Sequence, residues 1–353
     1  MEKTLFGTMS DGREVYAYTF GNETLCATVL SFGGSVAKLL YRGVDVVGGF
    51  DTVEGYRVGC YQGAIVGRYT NRIRDGKYVL DGVEYQLSVN EPGRGNHAQG
   101  GFSGFDQKLW DAEPFSENGC EGLVLRYTSP DGEEGYPGTA CMQVRYEIRG
   151  SALLIRYGAT CDRDTLFDMT NHSYFNMNGY AGGPIYDQTL QVYADFFGAV
   201  DKNLISDTWE PVDGTPFDLR TPKTLHSVLA SGHEQLTFPG GLDHSFLLNG
   251  REQRDFDGRM LSKAAVFSGT AGTLTAYTDQ PCTLFYAGNF MQGQPPYKGG
   301  VERKRHHALC IETEAFPDAP NRGKGILRAG ERYDTMTVFS FSDAADMTEK
   351  TEA

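Results

Sequence analysis

KYVLDGVEYQL, residues 77–87, consists of two short runs of strand-forming residues joined by Asp81-Gly82. Asp-Gly is a strong signal for a two-residue turn between antiparallel strands. In the second run, apolar and polar residues alternate, as expected where one face of a strand is buried and the other is not. The stretch therefore predicts a β-hairpin, and with it an antiparallel sheet.

Strand signals of the same kind recur along the chain. Residues 144–148 and 153–157 form a second predicted hairpin, joined by the turn at 149–151. Further predicted strands cover residues 190–193, 245–248, 274–277, 284–286, 308–313 and 337–341. One short helix is predicted, with Thr221 as its N-cap and Pro222 at its first position. No alternation of strands and helices indicates a parallel sheet.

These signals predict an all-β fold, a large antiparallel β-sandwich with few short helices. The 353 residues would suit two domains of average size, but all-β domains are often longer than average. No repeat or linker divides the chain, so residues 1–342 are predicted to form a single domain. Residues 343–353, acidic and rich in Thr and Ala, are predicted to be a frayed tail.

The composition, 40 % hydrophobic and 22 % charged residues, is that of a globular protein. The net charge of −14 argues against nucleic acid and anionic membrane surfaces as partners. The one short basic stretch, Arg303-Lys304-Arg305 followed by His306 and His307, is interpreted as a solvated loop. A small molecule is the expected partner.

Seven cysteines, an odd number without metal-ligand spacing, indicate a reducing compartment. Residues 1–10 do not resemble a signal peptide, and no apolar run approaches the roughly 18 residues of a membrane helix. A cytoplasmic protein is expected. Phosphate-binding loops, zinc-binding His-Glu-x-x-His and dinucleotide-binding glycine motifs are absent from the sequence, so neither a metal nor a cofactor is predicted.

Two polar segments are candidates for proton transfer. DMTNHSYFN (168–176) contains His172, and the ordinary pKa of histidine allows proton exchange near neutral pH. ALCIETEAFPDAPN (308–321) contains Glu312, and strand alternation places Cys310, Glu312 and Glu314 on one face. The residues alone leave two structural alternatives open. His172 could cap a strand end through hydrogen bonds, and Glu312 could face water from an edge strand.

Two further segments could bind sugar hydroxyls. GRYTNRI (67–73) places Asn71 beside Arg72, and planar guanidinium and amide groups can bind adjacent hydroxyls. GLDHSF (241–246) places Asp243 at the start of an apolar strand. There is a structural alternative for each segment. Arg72 could be a surface arginine that only pairs with carboxylates, and Asp243 could be a turn residue hydrogen-bonded to its own backbone.

Together, eight segments resemble the aldose 1-epimerase (galactose mutarotase) family, in the order found in that family. They are GAIVGRYTNRI (63–73), QGGFSGFDQKLW (99–110), SPDGEEGYPG (129–138), TNHSYFN (170–176), GTPFDLR (214–220), GLDHSF (241–246), YAGNF (286–290) and ETEAFPDAPN (312–321). The resemblance implies a galactose mutarotase-like β-sandwich with a sugar cleft. It also implies interconversion of the α and β anomers of a free aldohexose, such as galactose or glucose, without a cofactor.

The resemblance also implies roles for individual residues. Glu312 would be the base that removes the proton from the anomeric hydroxyl, and His172 the acid that protonates the ring oxygen, on opposite sides of the ring. The carboxylate would be kept ionised and the histidine protonated. Arg72 and Asp243, with Asn71 beside them, would hold the sugar hydroxyls.

Three residues depart from the pattern of the family. Gln99 occupies the place of a histidine that contacts the sugar, Leu284 replaces a frequent glutamine, and Glu314 replaces a common glutamine. Gln99 is still expected to bind substrate, because an amide donates and accepts hydrogen bonds. Glu314, if it faces the cleft, is expected to raise a pKa by repulsion. These changes put the usual preference for galactose in question.

Three other functions stay open at this point. A hexose-phosphate epimerase would need a phosphate pocket, for which Arg68 and Arg74 are the only indication. A glycoside hydrolase could use Asp243 and Glu312 as its carboxylate pair. A non-catalytic sugar-binding module would be consistent with the changes at Gln99 and Leu284. No protein partner is indicated, and the chain is expected to be a monomer or a homodimer.

Overall fold

The computed structural model describes residues 1–59, 61–117 and 119–344. The predicted tail, residues 343–353, therefore lies outside the described residues from position 345 onward. The described part of the chain forms 29 strands and three short α-helices.

The first ten strands are β1 (Glu2–Thr8), β2 (Glu14–Gly21), β3 (Leu25–Leu30), β4 (Val36–Tyr41), β5 (Val44–Asp45), β6 (Ile65–Val66), β7 (Arg72–Ile73), β8 (Lys77–Leu80), β9 (Val83–Gln86) and β10 (His97–Ala98). The next ten are β11 (Asp111–Glu117), β12 (Cys120–Ser129), β13 (Ala140–Arg149), β14 (Ala152–Cys161), β15 (Thr165–Leu166), β16 (Thr170–Asn171), β17 (Tyr174–Phe175), β18 (Thr189–Val192), β19 (Ala194–Val200) and β20 (Ser206–Pro211). The last nine are β21 (Lys223–Thr224), β22 (Asp243–Leu248), β23 (Gln253–Phe256), β24 (Arg259–Gly269), β25 (Gly272–Thr278), β26 (Cys282–Tyr286), β27 (Leu309–Glu314), β28 (Ile326–Leu327) and β29 (Arg332–Ser342). The helices are α1 (Val53–Val58), α2 (Leu225–Leu229) and α3 (Glu234–Thr237).

Three large sheets carry the fold, and every strand pair in them is antiparallel. A ten-stranded sheet has the order β11-β12-β13-β14-β29-β25-β24-β18-β21, with β23 beside β24. A six-stranded sheet has the order β17-β27-β26-β22-β19-β20, and β1 to β5 form a third sheet in chain order. This architecture confirms the predicted all-β, antiparallel fold with few short helices.

The core lies between these sheets. Phe175 of the six-stranded sheet packs against Phe339 of the ten-stranded sheet, with ring centroids 5.0 Å apart. Beside them, the hydroxyls of Thr313 and Thr337 are joined by a 2.5 Å hydrogen bond between the two sheets. One face of β27 is thus buried against the ten-stranded sheet, and its opposite face is left to form the site.

Both predicted hairpins are confirmed. Strands β8 and β9 pair through Tyr78 and Tyr85, whose rings stack with centroids 5.2 Å apart. Asp81 and Gly82 have φ values of 51° and 81°, the left-handed conformation that a tight hairpin turn of this type requires. The second hairpin consists of β13 and β14, joined at Gly150.

The predicted helix exists, but its predicted start is wrong. The N-cap is Thr224, whose hydroxyl accepts a hydrogen bond from the Ser227 amide, and α2 begins at Leu225. Lys223 and Thr224 pair with β18 as strand β21, so pairing with a distant strand overrides the local capping signal at Thr221. Leu225 and Val228 are buried and anchor the short helix to the core.

No helix in the described ranges is long and apolar enough to cross a membrane. Six cysteines of the described residues carry free thiols: Cys26, Cys120, Cys141, Cys161, Cys282 and Cys310.

Candidate active site

The strand register of the six-stranded sheet brings the site together. Leu284 of β26 lies directly opposite Glu312 of β27 on one side and Ser245 of β22 on the other. One step along the sheet, Tyr286 lies opposite both Asp243 and Cys310. Because directly opposed residues share a face, these two rows form one surface of the sheet.

Glu312 is fully buried in the middle of this surface. Its strand lies between β17 and β26, so the alternative of a glutamate facing water from an edge strand is wrong. The predicted alternation is confirmed, because Thr313 points toward the ten-stranded sheet while Glu312 lines the cleft.

His172 follows β16, which pairs with β6. Its backbone amide donates to the Ala64 carbonyl and its carbonyl accepts from the Gly63 amide, both at 2.9 Å. The imidazole ring packs beside Tyr61 and Tyr174, with centroid distances of 5.7 and 4.9 Å. Its Nδ1 has no hydrogen-bond partner among the described residues, so the ring does not cap a strand end.

The imidazole and the carboxylate are neighbours. His172 Nε2 lies 3.3 Å from Glu312 Oε1. Both groups therefore reach the same region of the cleft, and their placement on opposite sides of a sugar ring stays a prediction. The short separation suits a hemiacetal, because its hydroxyl oxygen and its ring oxygen are bonded to the same carbon.

Burial shifts the pKa of both groups toward their neutral forms. It raises the pKa of Glu312 well above its usual value, and repulsion from Glu314 adds to the rise. Burial, together with the nearby positive charge of Arg72, lowers the pKa of His172 to about 4. These directions oppose the predicted ionised carboxylate and protonated histidine, because the sequence does not reveal how deeply both groups are buried.

Gln99 holds the carboxylate of Glu312 directly. Its Nε2 donates to Glu312 Oε2 at 2.9 Å, while its Oε1 accepts from the Asn71 backbone amide at 2.7 Å. The Gln99 amide in turn donates to the Asn71 carbonyl at 2.8 Å. Both residues have left-handed backbone conformations, with φ of 54° at Asn71 and 50° at Gln99. Gln99 therefore fixes the orientation of the carboxylate.

Arg72 is the central cation of the cleft. Its Nε donates to Glu91 Oε2 at 3.1 Å and its Nη2 to Asp243 Oδ2 at 3.4 Å. Its side chain is mostly buried, so the alternative of a solvent-exposed surface pair is wrong. Burial raises the pKa of Asp243 and the charge of Arg72 opposes that rise. The carboxylate of Asp243 therefore faces Arg72 instead of closing a turn on its own backbone.

All six residues predicted to form the site line one cleft of about 920 Å³, part of which is open to solvent. Sequence reasoning missed most of the other wall residues: Tyr61, Glu91, Arg94, Ala98, Tyr174, Tyr286, Phe290, Met291, Gln294 and Arg303. Leu284, singled out as a departure, also lines it.

Glu314 lies outside the cleft lining, directly behind Asn71. Its Oε1 accepts from Ser245 Oγ at 2.6 Å and from Asn71 Nδ2 at 3.0 Å. Burial raises the pKa of Glu314 to about 8. Glu314, the expected second carboxylate, is therefore close enough to Glu312 to repel its charge, but it does not face the cleft. Its hydrogen bond orients the side chain of Asn71.

We expect Glu314→Gln to remove an ionisation near pH 8 from the pH profile of kcat/KM. In the wild type, ionised Glu314 repels the charge on Glu312, so activity should fall as the pH rises through about 8.

The raised pKa of Glu314 also contributes free energy of folding, which is lost as the pH rises from about 4.5 to 8. The free energy of unfolding should therefore fall more in the wild type than in the variant over this range. Denaturant unfolding at pH 5 and 9 measures this difference. Identical profiles for both proteins would contradict the assigned role.

Three groups that could ligate a metal lie close together at the wall of the cleft. Ligand atoms of His172, Cys310 and Glu312 lie within 4.8 Å of one another. They could hold a metal ion as a thiolate, an imidazole and a carboxylate. Burial raises the pKa of the Cys310 thiol well above its usual value, which disfavours the thiolate form. The absence of a metal from the reaction stays a prediction.

Arg68 and Arg74, the only indications of a phosphate pocket, do not line the cleft. Arg68 is buried and donates to the carbonyls of Pro137 and Gly138 at 3.0 and 2.8 Å, and its Nη2 bonds Ser129. Arg74 forms ion pairs with Asp201 and Asp207. Both interpretations as phosphate ligands are therefore wrong.

We expect Arg68→Met to lower the free energy of unfolding by about 3 kcal/mol or more, because several buried carbonyls would lose their donor. Arg74→Met is the matched control, since it removes only partly exposed ion pairs, each worth up to about 1 kcal/mol. Urea unfolding of both variants provides the measurement. Equal losses would show that the buried hydrogen bonds of Arg68 add nothing.

The site contains a carboxylate in contact with an imidazole, and hydrogen-bonding groups line the cleft around them. Such a site on an antiparallel β-sandwich is typical of an enzyme that uses acid–base catalysis on a small polar molecule. Residues 16–340 match the family model described as aldose 1-epimerase. Galactose mutarotase of Homo sapiens is 38 % identical over 97 % of this chain and 98 % of its own length. Aldose 1-epimerase of Escherichia coli is 33 % identical over 80 % of this chain and 82 % of its own.

A solved structure supports the same relationship. Galactose 1-epimerase from Lactobacillus acidophilus superposes with a TM-score of 0.86 at 27 % identity, covering 97 % of this chain and 98 % of its own. The chain belongs to the aldose 1-epimerase family and is an isomerase that acts on carbohydrates.

Proposed function

We propose that Glu312 and His172 interconvert the α and β anomers of a free aldohexose by opening and reclosing its ring. The observation that carries this proposal is the 3.3 Å separation of the imidazole and the carboxylate at the wall of the cleft. A base and an acid at one carbon are what a hemiacetal needs, because its opening removes a proton at O1 and delivers one to O5.

The pair holds one proton for this reaction. Burial favours the form in which Glu312 carries it and His172 is neutral. Its transfer to His172, across 3.3 Å, produces the ionised base and the protonated acid. Gln99 stabilises the ionised carboxylate through its hydrogen bond at 2.9 Å. Glu312 then takes the O1 proton while His172 protonates O5, and rotation about C1–C2 followed by the reverse transfers gives the other anomer.

The remaining predicted residues position the sugar. Arg72 and Asp243 present a guanidinium and a carboxylate that can bind adjacent hydroxyls. Asn71 acts mainly as a support, because its amide nitrogen is bonded to Glu314 and its backbone to Gln99. Galactose or glucose is the proposed substrate, and relatives named galactose mutarotase support the former. A cytoplasmic location and a single domain over residues 1–342, as a monomer or homodimer, complete the proposal.

Polarimetry on freshly dissolved α-D-galactose and α-D-glucose tests this function. The protein should speed the approach to anomeric equilibrium of at least one of these sugars above the spontaneous rate. Saturable sugar binding with only the spontaneous rate would instead support a sugar-binding module. Release of reducing sugar from a glycoside would support a hydrolase.

A further inference from the structure

Arg303 lines the cleft, and the proposed reaction does not use it. The sequence suggested a solvated basic loop at this point, but the residue is only 2 % exposed. Its Nε and Nη2 are buried and have no hydrogen-bond acceptor among the residues that the structure describes. No carboxylate of the described residues lies within 4.0 Å of its guanidinium. Within the described part of the chain, Arg303 is therefore a buried cation without a counter-charge.

The other two buried cations of the described residues, Arg68 and Lys298, have hydrogen-bond acceptors within the chain. Arg68 has no carboxylate partner among the described residues, but it donates to the carbonyls of Pro137, Gly138 and Ser129. Lys298 Nζ forms an ion pair with Asp45 at 2.6 Å and donates to the carbonyls of Ala37 and Val47. Arg72 has Glu91 and Asp243, as described above. Since each of these cations has several acceptors among the described residues, whereas Nε and Nη2 of Arg303 have none there, the exception points to a partner outside the chain.

The surroundings of Arg303 increase the cost of the unpaired charge. Its guanidinium carbon lies 5.1 Å from the Phe50 ring centroid and 5.6 Å from that of Tyr297. Aromatic faces attract a cation, but they do not accept its hydrogen bonds as an anionic oxygen does. In such an apolar setting an anion would be attracted much more strongly than in water.

We propose that the cleft accepts an aldose that carries an anionic oxygen group, a carboxylate or a phosphate, which binds beside Arg303. This proposal rests on the proposed function and narrows its substrate class to charged sugars. The net charge of −14 slows the approach of such a substrate, but the local counter-charge determines how tightly it is held. Hydrogen bonds to charged groups contribute about 1.5–3 kcal/mol, which corresponds to roughly 10–100-fold in affinity.

The test compares kcat/KM for anomer interconversion of galactose, galacturonate and galactose 6-phosphate, measured by NMR exchange spectroscopy. We expect one of the two charged sugars to exceed galactose by about tenfold or more. Arg303→Met should abolish that ratio, and Arg303→Lys should retain part of it. Arg163→Met, which removes an exposed charge that does not line the cleft, is the matched control and should leave the ratio unchanged.

The outcomes separate the two anion sources. A preference for galacturonate assigns a carboxylate, and a preference for galactose 6-phosphate assigns a phosphate. The proposal would be overturned if kcat/KM for galactose equalled that for both charged sugars. It would also be overturned if folded Arg303→Met kept the wild-type ratio of kcat/KM between the charged sugar and galactose. If no sugar reacts, the proposed function fails. Calorimetric titration with each sugar would still test the inference, since only wild-type binding of a charged sugar should depend on Arg303.

Discussion

Glu312→Gln is expected to reduce kcat for anomer interconversion by about 10²–10⁴-fold, the usual contribution of a general base. The amide has nearly the shape of the carboxylate, and its oxygen can still accept the hydrogen bond from Gln99. It cannot take a proton from O1. Polarimetry, corrected for the spontaneous rate, measures the loss.

Glu210→Gln is the matched control, since Glu210 is exposed and does not line the cleft. It should retain wild-type activity. Calorimetric titration of Glu312→Gln with sugar should still show binding, which would place the defect in the chemical step. A Glu312→Gln rate within threefold of wild type would contradict the role of Glu312 as the base.

His172→Asn is expected to cause a loss of similar size, about 10²–10⁴-fold in kcat. Asparagine can still donate a hydrogen bond, but it cannot deliver a proton to O5. The variant also removes the ring that packs beside Tyr61 and Tyr174, so the fold should be checked by circular dichroism.

The control for this variant is His226→Asn, because His226 is an exposed histidine that does not line the cleft. It should leave kcat unchanged. If folded His172→Asn retained the wild-type rate, proton delivery to the ring oxygen would have to come from another group.

The sequence predicts the local part of this fold well. The hairpins of residues 77–87 and 144–157 depend on turn chemistry and alternation, which are properties of neighbouring residues. The order of the ten-stranded sheet is not predictable in this way, since β14 pairs with β29 and β18 with β24. The start of α2 was misplaced for the same reason, because β21 pairs with a distant strand.

The site shows the same division. Strand alternation correctly placed Glu312 on the face of β27 that lines the cleft. Its partner Gln99 is 213 residues away in the chain, and no local pattern reveals that contact. The directions of the pKa shifts of Glu312 and His172 could not be predicted from the sequence, because they depend on burial. Arg303 was misinterpreted because a run of charged residues usually indicates a solvated segment, whereas here one member packs against aromatic rings.

The most direct test of the central claim, joint action of Glu312 and His172 on one sugar carbon, is a double-mutant comparison. The rate of α–β exchange of galactose at anomeric equilibrium would be measured by NMR for wild type, Glu312→Gln, His172→Asn and the double variant. Residues that act as a unit in catalysis show strongly non-additive losses. We predict that the double variant is within about threefold of the slower single variant. Losses that multiply in the double variant would contradict the account.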